Sequence, residues 1–354
     1  MSMFLFILGL GLLILGAEAL VRGASQLAVA AGISRLVVGL TVVAYGTSMP
    51  EMVVSTASVL SGQPDISLGN VVGSNIFNVL LILGISALVS PLVVSQQLVR
   101  IDVPLMLMVS LLTLFISLDG TVGRVDGAVL FCLAIAYTVF LIVQGKRELS
   151  KLEGCDSSGH EGPRVSGNWL VNLLLVAVGL GLLVLGSQLF VAGAVDLAHY
   201  FGISELIIGL TVVAAGTSLP ELATSVIAAI RGERDIAVGN VVGSNIFNIL
   251  SVLGLSSALS PRGIAVSEAA LRFDIPAMIA VALACLPIFF TGNRIARWEG
   301  GLFLSYYVAY VLYLVLAATH HESLSTFNLA MIWFVIPLTV LTLSVSTIRA
   351  WRLG

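Results

Sequence analysis

The sequence predicts an all-helical protein that crosses a membrane many times. Of its 354 residues, 58% are hydrophobic and only 10% are charged, whereas a soluble chain carries about 25% charged residues. Apolar runs of roughly 20 residues, the length of helix that crosses a hydrocarbon core, alternate with short polar breaks. A long internal repeat adds a third observation. Together they predict ten transmembrane helices arranged as two inverted repeats of five, with one extra C-terminal transmembrane helix.

The apolar runs define eleven predicted spans. They lie at 3–22, 36–61, 69–90, 101–118, 125–144, 168–195, 206–230, 239–259, 273–291, 299–318 and 327–348. The predicted division of the chain is a first repeat at 1–144, a cytoplasmic loop at 145–167, a second repeat at 168–318 and the extra helix at 319–354.

The basic residues predict the orientation of these spans. If the N terminus lies outside, only Arg124, Arg262 and Arg272 of the 16 Lys and Arg residues fall in outside loops. Basic residues collect on the inside of membrane proteins. We therefore expect a multi-pass protein of the cell membrane (plasma or inner) whose C terminus is cytoplasmic. A net charge of -3 without a basic tract gives no support for a nucleic-acid partner, and no protein partner can be inferred.

Residues 32–84 and 202–254 are two copies of one sequence. Without a gap, 32 of the 53 aligned positions are identical. Five spans separate a point in one copy from its counterpart, and five is odd, so the copies cross the membrane in opposite directions. The differences between the copies agree with this, because Arg35 on the predicted inside corresponds to Glu205 on the predicted outside.

Two glutamates lie deep within predicted spans, where a charge is costly and is therefore a marker of function. Glu51 and Glu221 each end the phrase Gly-Thr-Ser-x-Pro-Glu. Pro50 and Pro220 lack a backbone N–H, and a glycine four residues earlier loosens each helix. Each helix is therefore expected to break near its glutamate. Broken helices at matching positions of two inverted halves indicate an ion site at the membrane midplane.

Further oxygen donors accompany the two glutamates. Helical spacing places an alanine, a threonine and a serine on the face of each glutamate, and the phrase Gly-Asn-x-x-Gly-Ser-Asn-x-x-Asn follows in each copy. Oxygen donors without imidazole or thiolate suit Ca²⁺ or Na⁺. The candidate metal ligands are Glu51, Glu221, Thr47, Thr217, Ala44, Ala214, Ser48, Ser218, Ser74, Ser244, Asn78 and Asn248.

A purely structural interpretation of these polar residues is disfavoured because the whole set occurs twice. For the remaining asparagines of the second phrase the structural interpretation is favoured, since an amide can cap a helix break or bond across helices. These asparagines are Asn70, Asn75, Asn240 and Asn245.

The two phrases together resemble the α-repeats of the calcium/cation antiporter superfamily, most closely the prokaryotic form of the sodium/calcium exchanger family. The resemblance implies a ten-helix inverted-repeat fold with cation sites between the second, third, seventh and eighth helices. It also implies that Glu51 and Glu221 bind Ca²⁺ together with Thr47 and Thr217. The implied Na⁺ sites share both glutamates and add the carbonyls of Ala44 and Ala214 and the hydroxyls of Ser48, Ser218, Ser74 and Ser244.

One residue departs from the pattern of this family. Several exchangers that resemble this chain have an aspartate where it has Asn248, the counterpart of Asn78. The site predicted for this chain thus holds two carboxylates instead of three. Ion preference is affected, because Ca²⁺ affinity depends on the number of charged ligands.

The sequence therefore predicts a secondary-active antiporter that exchanges Ca²⁺ for Na⁺, at about 3:1 if the family pattern holds. The alternative is Ca²⁺/H⁺ or K⁺-linked exchange at the same site. An enzyme is disfavoured because all four His residues lie in loops. A channel is the other rival, since paired acidic residues also line pores. Transported Ca²⁺ and Na⁺ and the lipid bilayer are the expected partners, and no prosthetic group is expected.

Glycines recur every seven residues in the first and sixth spans, including Gly9, Gly16, Gly179 and Gly186. We hypothesise that they form a smooth sliding surface; the alternative is close packing of helices. Asp102 and Asp274, each two residues before a proline, favour a role in helix capping. Glu18 in the first span has no acidic counterpart, because Gln188 takes its place. Its favoured role is snorkelling or structural hydrogen bonding.

Overall fold

The computed structural model describes residues 2–155, 169–290 and 293–353, so most of the predicted cytoplasmic loop lies outside the described residues. The first copy, taken together with the rest of its repeat, contains α1 Ser2–Ala31, α2 Arg35–Thr47, α3 Met49–Leu60, α4 Pro64–Val89, α5 Leu98–Ile116 and α6 Arg124–Cys155. The second contains α7 Trp169–Tyr200, α8 (the pieces Glu205–Ile208, Gly209–Val213 and Ala214–Gly216), α9 Leu219–Ile230, α10 Arg234–Leu259, α11 Ala270–Phe290 and α12 Arg297–Ala318, before the C-terminal α13 Ser323–Val345.

The predicted fold class is confirmed. Within the described ranges, nine helices are long and apolar enough to cross a membrane, and ten if α2 and α3 count as one bent span. The shorter α9, preceded by α8, is the counterpart of that bent pair in the second copy. The most apolar part of α13 is not buried against the rest of the protein, as expected of a peripheral addition.

Both helix breaks occur where the prolines predict them. Helix α2 ends at Thr47, α3 begins at Met49, and the two are bent by 43°. In the second copy the break lies between Gly216 and Leu219. Each proline stands in the first turn of the helix after the break. A first-turn N–H has no partner within the helix, so proline is tolerated there while the preceding helix stops.

Helices α1 and α7 pack antiparallel along most of their length, and glycines form the contact. A Cβ atom added to Gly16 would lie 2.8 Å from the carbonyl oxygen of Gly179, and one added to Gly186 would lie 3.0 Å from that of Gly9. These glycines join the two helices to each other, and sliding of the pair stays a prediction. The alternative, close helix packing, agrees with the structure.

Leucine at Gly16 is expected to destabilise the protein because it pushes α1 away from α7. Overpacking a close contact costs about 1–3 kcal/mol, so the midpoint of thermal unfolding should fall. Gly11 on the same helix has no atom within 4 Å of an added Cβ, which makes Gly11→Leu the matched control. An equal fall in both variants would contradict the assigned packing. Differential scanning fluorimetry of the purified chain measures both midpoints.

Two short strand pairs connect the copies at opposite ends of the helices. Strand β1 Leu92–Val93 pairs antiparallel with β4 Arg294–Ile295, and β2 Thr121–Val122 pairs with β3 Ile264–Ala265. Each pair joins loops that the predicted topology places on one side of the membrane. The pairing therefore agrees with the inverted order of spans, and it ties the two copies together outside α1 and α7.

The capping role expected for Asp102 was wrong, and the one expected for Asp274 stays a prediction. Asp102 makes no capping hydrogen bond; it is fully buried and accepts a hydrogen bond from the Tyr137 hydroxyl at 2.9 Å. Asp274 accepts one from Tyr310 at 3.3 Å. A buried carboxyl needs such a partner. These contacts therefore tie α5 to α6 and α11 to α12.

Candidate cation site

The two helix breaks meet at the centre of the protein, and hydrogen bonds cross between the copies there. Glu51 and Glu221 lie in the first turns of α3 and α9 and are both fully buried. The Ser48 hydroxyl donates to Glu221 Oε1, and the Ser218 hydroxyl donates to Glu51 Oε1, each at 2.8 Å. Each glutamate is thus held by the serine of the other copy, and the positive end of its own helix favours its negative charge.

Asparagines support the threonines next to the breaks. Thr47 Oγ1 lies 3.1 Å from Asn240 Oδ1, and Thr217 Oγ1 lies 3.2 Å from Asn70 Oδ1. The Asn240 amide in turn lies 3.4 Å from the backbone oxygen of Glu221 and 2.9 Å from Ser225 Oγ. Such contacts to the broken backbone match the structural role expected for these asparagines.

Several oxygens at the site are buried and have no hydrogen-bond partner among the described residues. Each glutamate uses one carboxylate oxygen in the contact with serine and leaves the other without a partner. Unpartnered buried oxygens are costly unless a further group satisfies them. The unpartnered oxygens of predicted ligands are Glu51 Oε2, Glu221 Oε2, Asn78 Oδ1, Asn248 Oδ1 and Ser244 Oγ.

Asn78 and Asn248 begin matching π-helical turns, Asn78–Leu83 and Asn248–Leu253, and are fully buried. A π-helical turn widens the helix and is frequent at functional sites. The widened turn follows the asparagine in both copies, so the two amides have the same local backbone. The sequence did not predict these turns.

The remaining predicted ligands differ between the copies. Ser74 Oγ lies 3.0 Å from Ser218 Oγ, whereas Ser244 Oγ has no partner among the described residues. The Ala44 carbonyl accepts a hydrogen bond from the Ser48 N–H at 3.1 Å and Ala44 is fully buried. Its counterpart Ala214 is exposed. One copy is therefore more open than the other.

The chemistry of this arrangement favours a hard cation. The side chains of the predicted ligands present carboxylate, amide and hydroxyl oxygens. In the described part of the chain no three His, Cys, Asp or Glu residues come together, so two carboxylates carry the acidic charge. Ca²⁺ and Na⁺ prefer oxygen ligands of this kind, whereas zinc and copper favour nitrogen and sulfur.

A gap separates α8 from α4 on the side of the membrane where α1 begins. Added Cβ atoms on Gly209, Gly69 and Gly73 would meet nothing within 4 Å. The equivalent helices on the opposite side are in contact, because a Cβ on Gly243 would lie 2.9 Å from Ala44 Cβ. The two sides of the protein therefore differ: these helices lie apart on the side where α1 begins and are packed together on the other.

Polar contacts reinforce the closed side. The Arg231 guanidinium pairs with Glu18, with Nε 2.9 Å from Oε2. Glu233 accepts a hydrogen bond from Ser25 at 2.9 Å and pairs with Arg35 at 2.7 Å. These contacts join α1 and α2 to the loop after α9 and give Glu18 the structural role favoured from the sequence. The ion pair of Glu18 with Arg231 was not predicted from the sequence. Its signal was that both residues are charged in one copy only.

The site and fold have counterparts among known proteins. A family model described as "Sodium/calcium exchanger protein" matches residues 1–143 and 171–316. The putative antiporter CaxA of Alkalimonas amylolytica is 40% identical over 281 residues, which cover 78% of this chain and 87% of that protein. The sodium/calcium exchanger MaX1 of Methanosarcina acetivorans is 35% identical over 316 residues, covering 80% of this chain and 89% of its own length.

A solved structure has the same architecture. The sodium/calcium exchanger from Methanococcus jannaschii superposes with a TM-score of 0.75 at 32% identity, and the match covers 88% of this chain and 97% of that one. The family match ends at residue 316, before α13 begins. The shared architecture is therefore that of the two repeats.

Proposed function

Because the chain belongs to the sodium/calcium exchanger family, whose members are membrane transporters, we propose that it is a secondary-active antiporter exchanging Ca²⁺ for Na⁺. Exchange would take place by alternating access at the site between the two helix breaks. The observation that carries this proposal is the matched pair of buried carboxylates, Glu51 and Glu221, each with one oxygen lacking a hydrogen-bond partner among the described residues.

The two cations would compete for shared oxygens. We assign Ca²⁺ to Glu51 and Glu221 with Thr47 and Thr217. The Na⁺ sites would share the glutamates and add the carbonyls of Ala44 and Ala214, the hydroxyls of Ser48, Ser218, Ser74 and Ser244, and the amide oxygens of Asn78 and Asn248. In such a competition, the binding of one cation releases the other.

Charge explains why exchange would be obligatory. With both glutamates ionised the site carries a charge of about -2, which one Ca²⁺ neutralises. An empty site of that charge would have to cross a low-dielectric barrier, at a high electrostatic cost. Three Na⁺ for one Ca²⁺ would move one net charge per cycle, worth about 2.3 kcal/mol per 100 mV of membrane potential. The ion gradients alone would supply the driving force.

The proposed orientation places the N terminus outside the cell and the C terminus in the cytoplasm. The excess of Lys and Arg residues in the predicted inside loops supports this orientation. In this orientation the gap beside Gly69 and Gly73 opens to the outside, and the ion pair of Glu18 with Arg231 lies on the cytoplasmic side. The conformation described here is then packed on its cytoplasmic side.

Transport by proteoliposomes that contain the purified chain tests the driving ion. We expect liposomes loaded with Na⁺ to take up radioactive Ca²⁺ from a Na⁺-free medium, and an inside-positive potential to accelerate this uptake, because three Na⁺ leave for each Ca²⁺. Electroneutral exchange would not respond to the potential.

Separate gradients of K⁺ and of pH distinguish the alternatives. Uptake driven by a pH gradient alone would indicate Ca²⁺/H⁺ exchange, and a requirement for K⁺ would indicate K⁺-linked exchange. Ca²⁺ flux that continues with no counter-ion on the opposite side would contradict antiport and favour a channel.

A further inference from the structure

Two asparagines in each copy make reciprocal contacts across the centre of the protein. The Asn78 amide nitrogen donates to Asn245 Oδ1 at 3.0 Å, and the Asn248 amide nitrogen donates to Asn75 Oδ1 at 3.2 Å. All four are buried. The two donors, Asn78 and Asn248, are the predicted cation ligands. The amide oxygen of each has no partner among the described residues.

The orientation of Asn245 is determined by what faces its other side. Its amide nitrogen lies 3.4 Å from Met106 Sδ and 3.4 Å from the backbone oxygen of Asn75. A thioether sulfur and a carbonyl oxygen accept hydrogen bonds and donate none. Asn245 must therefore present its NH₂ group to them. Its oxygen is left to face Asn78.

Asn75, the counterpart of Asn245 in the first copy, repeats this arrangement with exchanged partners. The Asn75 amide nitrogen lies 3.5 Å from Met278 Sδ and 3.2 Å from the backbone oxygen of Asn245. Asn75 consequently turns its oxygen toward Asn248. The same constraint is built twice, from the same residue types, around the axis that relates the copies.

We propose that Asn75 and Asn245 are positioning residues that orient the amides of Asn248 and Asn78, so that their oxygens face the cation. Met106 and Met278 set the direction of this relay. Among the described residues, the amide oxygen Oδ1 of Asn245 accepts its hydrogen bond from the NH₂ group of Asn78, and the Asn78 amide oxygen then remains for the site. An inverted amide would direct its positive NH₂ group toward the cation and repel it.

This inference rests on the proposed function and deepens it, because it concerns the same cation site. Partners that orient metal ligands typically contribute about 10–100-fold to metal affinity. We therefore expect Asn245→Ala to weaken Ca²⁺ binding about tenfold. The effect should depend on Asn78, because Asn245 acts through that side chain.

A double-mutant cycle on the full-length chain tests this dependence, with Ca²⁺ affinity measured by isothermal titration calorimetry in detergent. The cycle compares the unsubstituted chain, Asn245→Ala, Asn78→Ala and the double variant. We expect the tenfold effect of Asn245→Ala to shrink below about twofold when Asn78 is already alanine. In the matched control, with Asn248→Ala as the background, the tenfold effect should persist.

An undiminished effect of Asn245→Ala in the Asn78→Ala background would overturn the inference, because a general structural role would not depend on Asn78. If Asn245→Ala does not fold, Met106→Leu provides the second variant, since leucine keeps the volume and removes the sulfur acceptor. We expect it to weaken Ca²⁺ binding about two- to threefold in the unsubstituted chain and to have no effect with Asn78→Ala. Equal effects in both backgrounds would again overturn the inference.

The outcome separates this inference from the proposed function. If the unsubstituted chain binds neither Ca²⁺ nor Na⁺, the proposed function is wrong and the inference is overturned with it. If the chain binds Ca²⁺ and the cycle is additive, only the positioning role is wrong. The thermal unfolding midpoint without added Ca²⁺ checks that each variant is folded.

Discussion

Glutamine in place of Glu51 or Glu221 is expected to reduce Na⁺-driven Ca²⁺ uptake by about a hundredfold or more, equivalent to roughly 2.8 kcal/mol. Either variant removes half of the acidic charge of the site, and Ca²⁺ affinity depends on the number of charged ligands. It also replaces a carboxylate oxygen by an amide NH₂ group in one of two orientations. Uptake of radioactive Ca²⁺ into Na⁺-loaded proteoliposomes measures the loss.

Glu268→Gln is the matched control for this prediction. Glu268 is exposed and forms an ion pair with Arg272 one helical turn away. Such a surface pair contributes little to stability, so uptake should remain within about twofold of that of the unsubstituted chain. Transport at the unsubstituted rate by either variant of Glu51 or Glu221 would refute the assignment of the cation site.

Leucine at Gly73 is expected to stop exchange while leaving cation binding intact. In the conformation described here an added Cβ at Gly73 meets nothing within 4 Å, whereas one added to its counterpart Gly243 would lie 2.9 Å from Ala44 Cβ. If the two copies exchange roles when access switches, Gly73 must pack against α8 as Gly243 packs against α2. A leucine there would obstruct closure, and a clash of roughly 2.8 kcal/mol would slow exchange about a hundredfold.

Two measurements distinguish blocked closure from a damaged site. Ca²⁺ affinity of Gly73→Leu by calorimetry should stay within about twofold of the unsubstituted value, because the gap is open in the binding state. The mirror variant Gly243→Leu should instead destabilise the closed contact with Leu40 and Ala44 and lower the unfolding midpoint. Normal exchange by Gly73→Leu would contradict the proposed exchange of roles between the copies.

The sequence predicted those features that depend on residues close together in the chain. Pro50 and Pro220 placed both helix breaks correctly because proline acts on its own turn. The repeat predicted the inverted order of spans, since only the parity of the intervening spans matters. Neither the position of a proline nor the parity of spans depends on which helices are in contact.

Long-range contacts could not be predicted in the same way. The glycines of α1 and α7 are compatible with any close helix contact, so their seven-residue spacing did not show that Gly16 meets Gly179. The hydrogen bonds from Ser48 and Ser218 to the opposite glutamates depend on how the copies interlock. The two copies carry the same residue at every predicted ligand position, so those residues give no signal of which side is packed.

The asparagines show where residue type was informative and where it was not. An amide can cap, bridge helices or bind a cation, and a single sequence does not separate these roles. The structure separates them by what the amide nitrogen contacts. The Asn240 amide nitrogen contacts the broken backbone. The Asn78 amide nitrogen donates to Asn245, and the Asn78 amide oxygen has no partner among the described residues.

The contacts that join α1 to the loop after α9 make the two halves of the transport cycle unequal. Two perfect copies would give mirror-related states of the same energy, but Glu18 and Arg231 are replaced by Gln188 and Ser61 in the mirror position. A bias of only about 1.4 kcal/mol would shift the resting population tenfold. The exchanger would then behave as a rectifier, which unequal forward and reverse exchange rates at zero membrane potential would reveal.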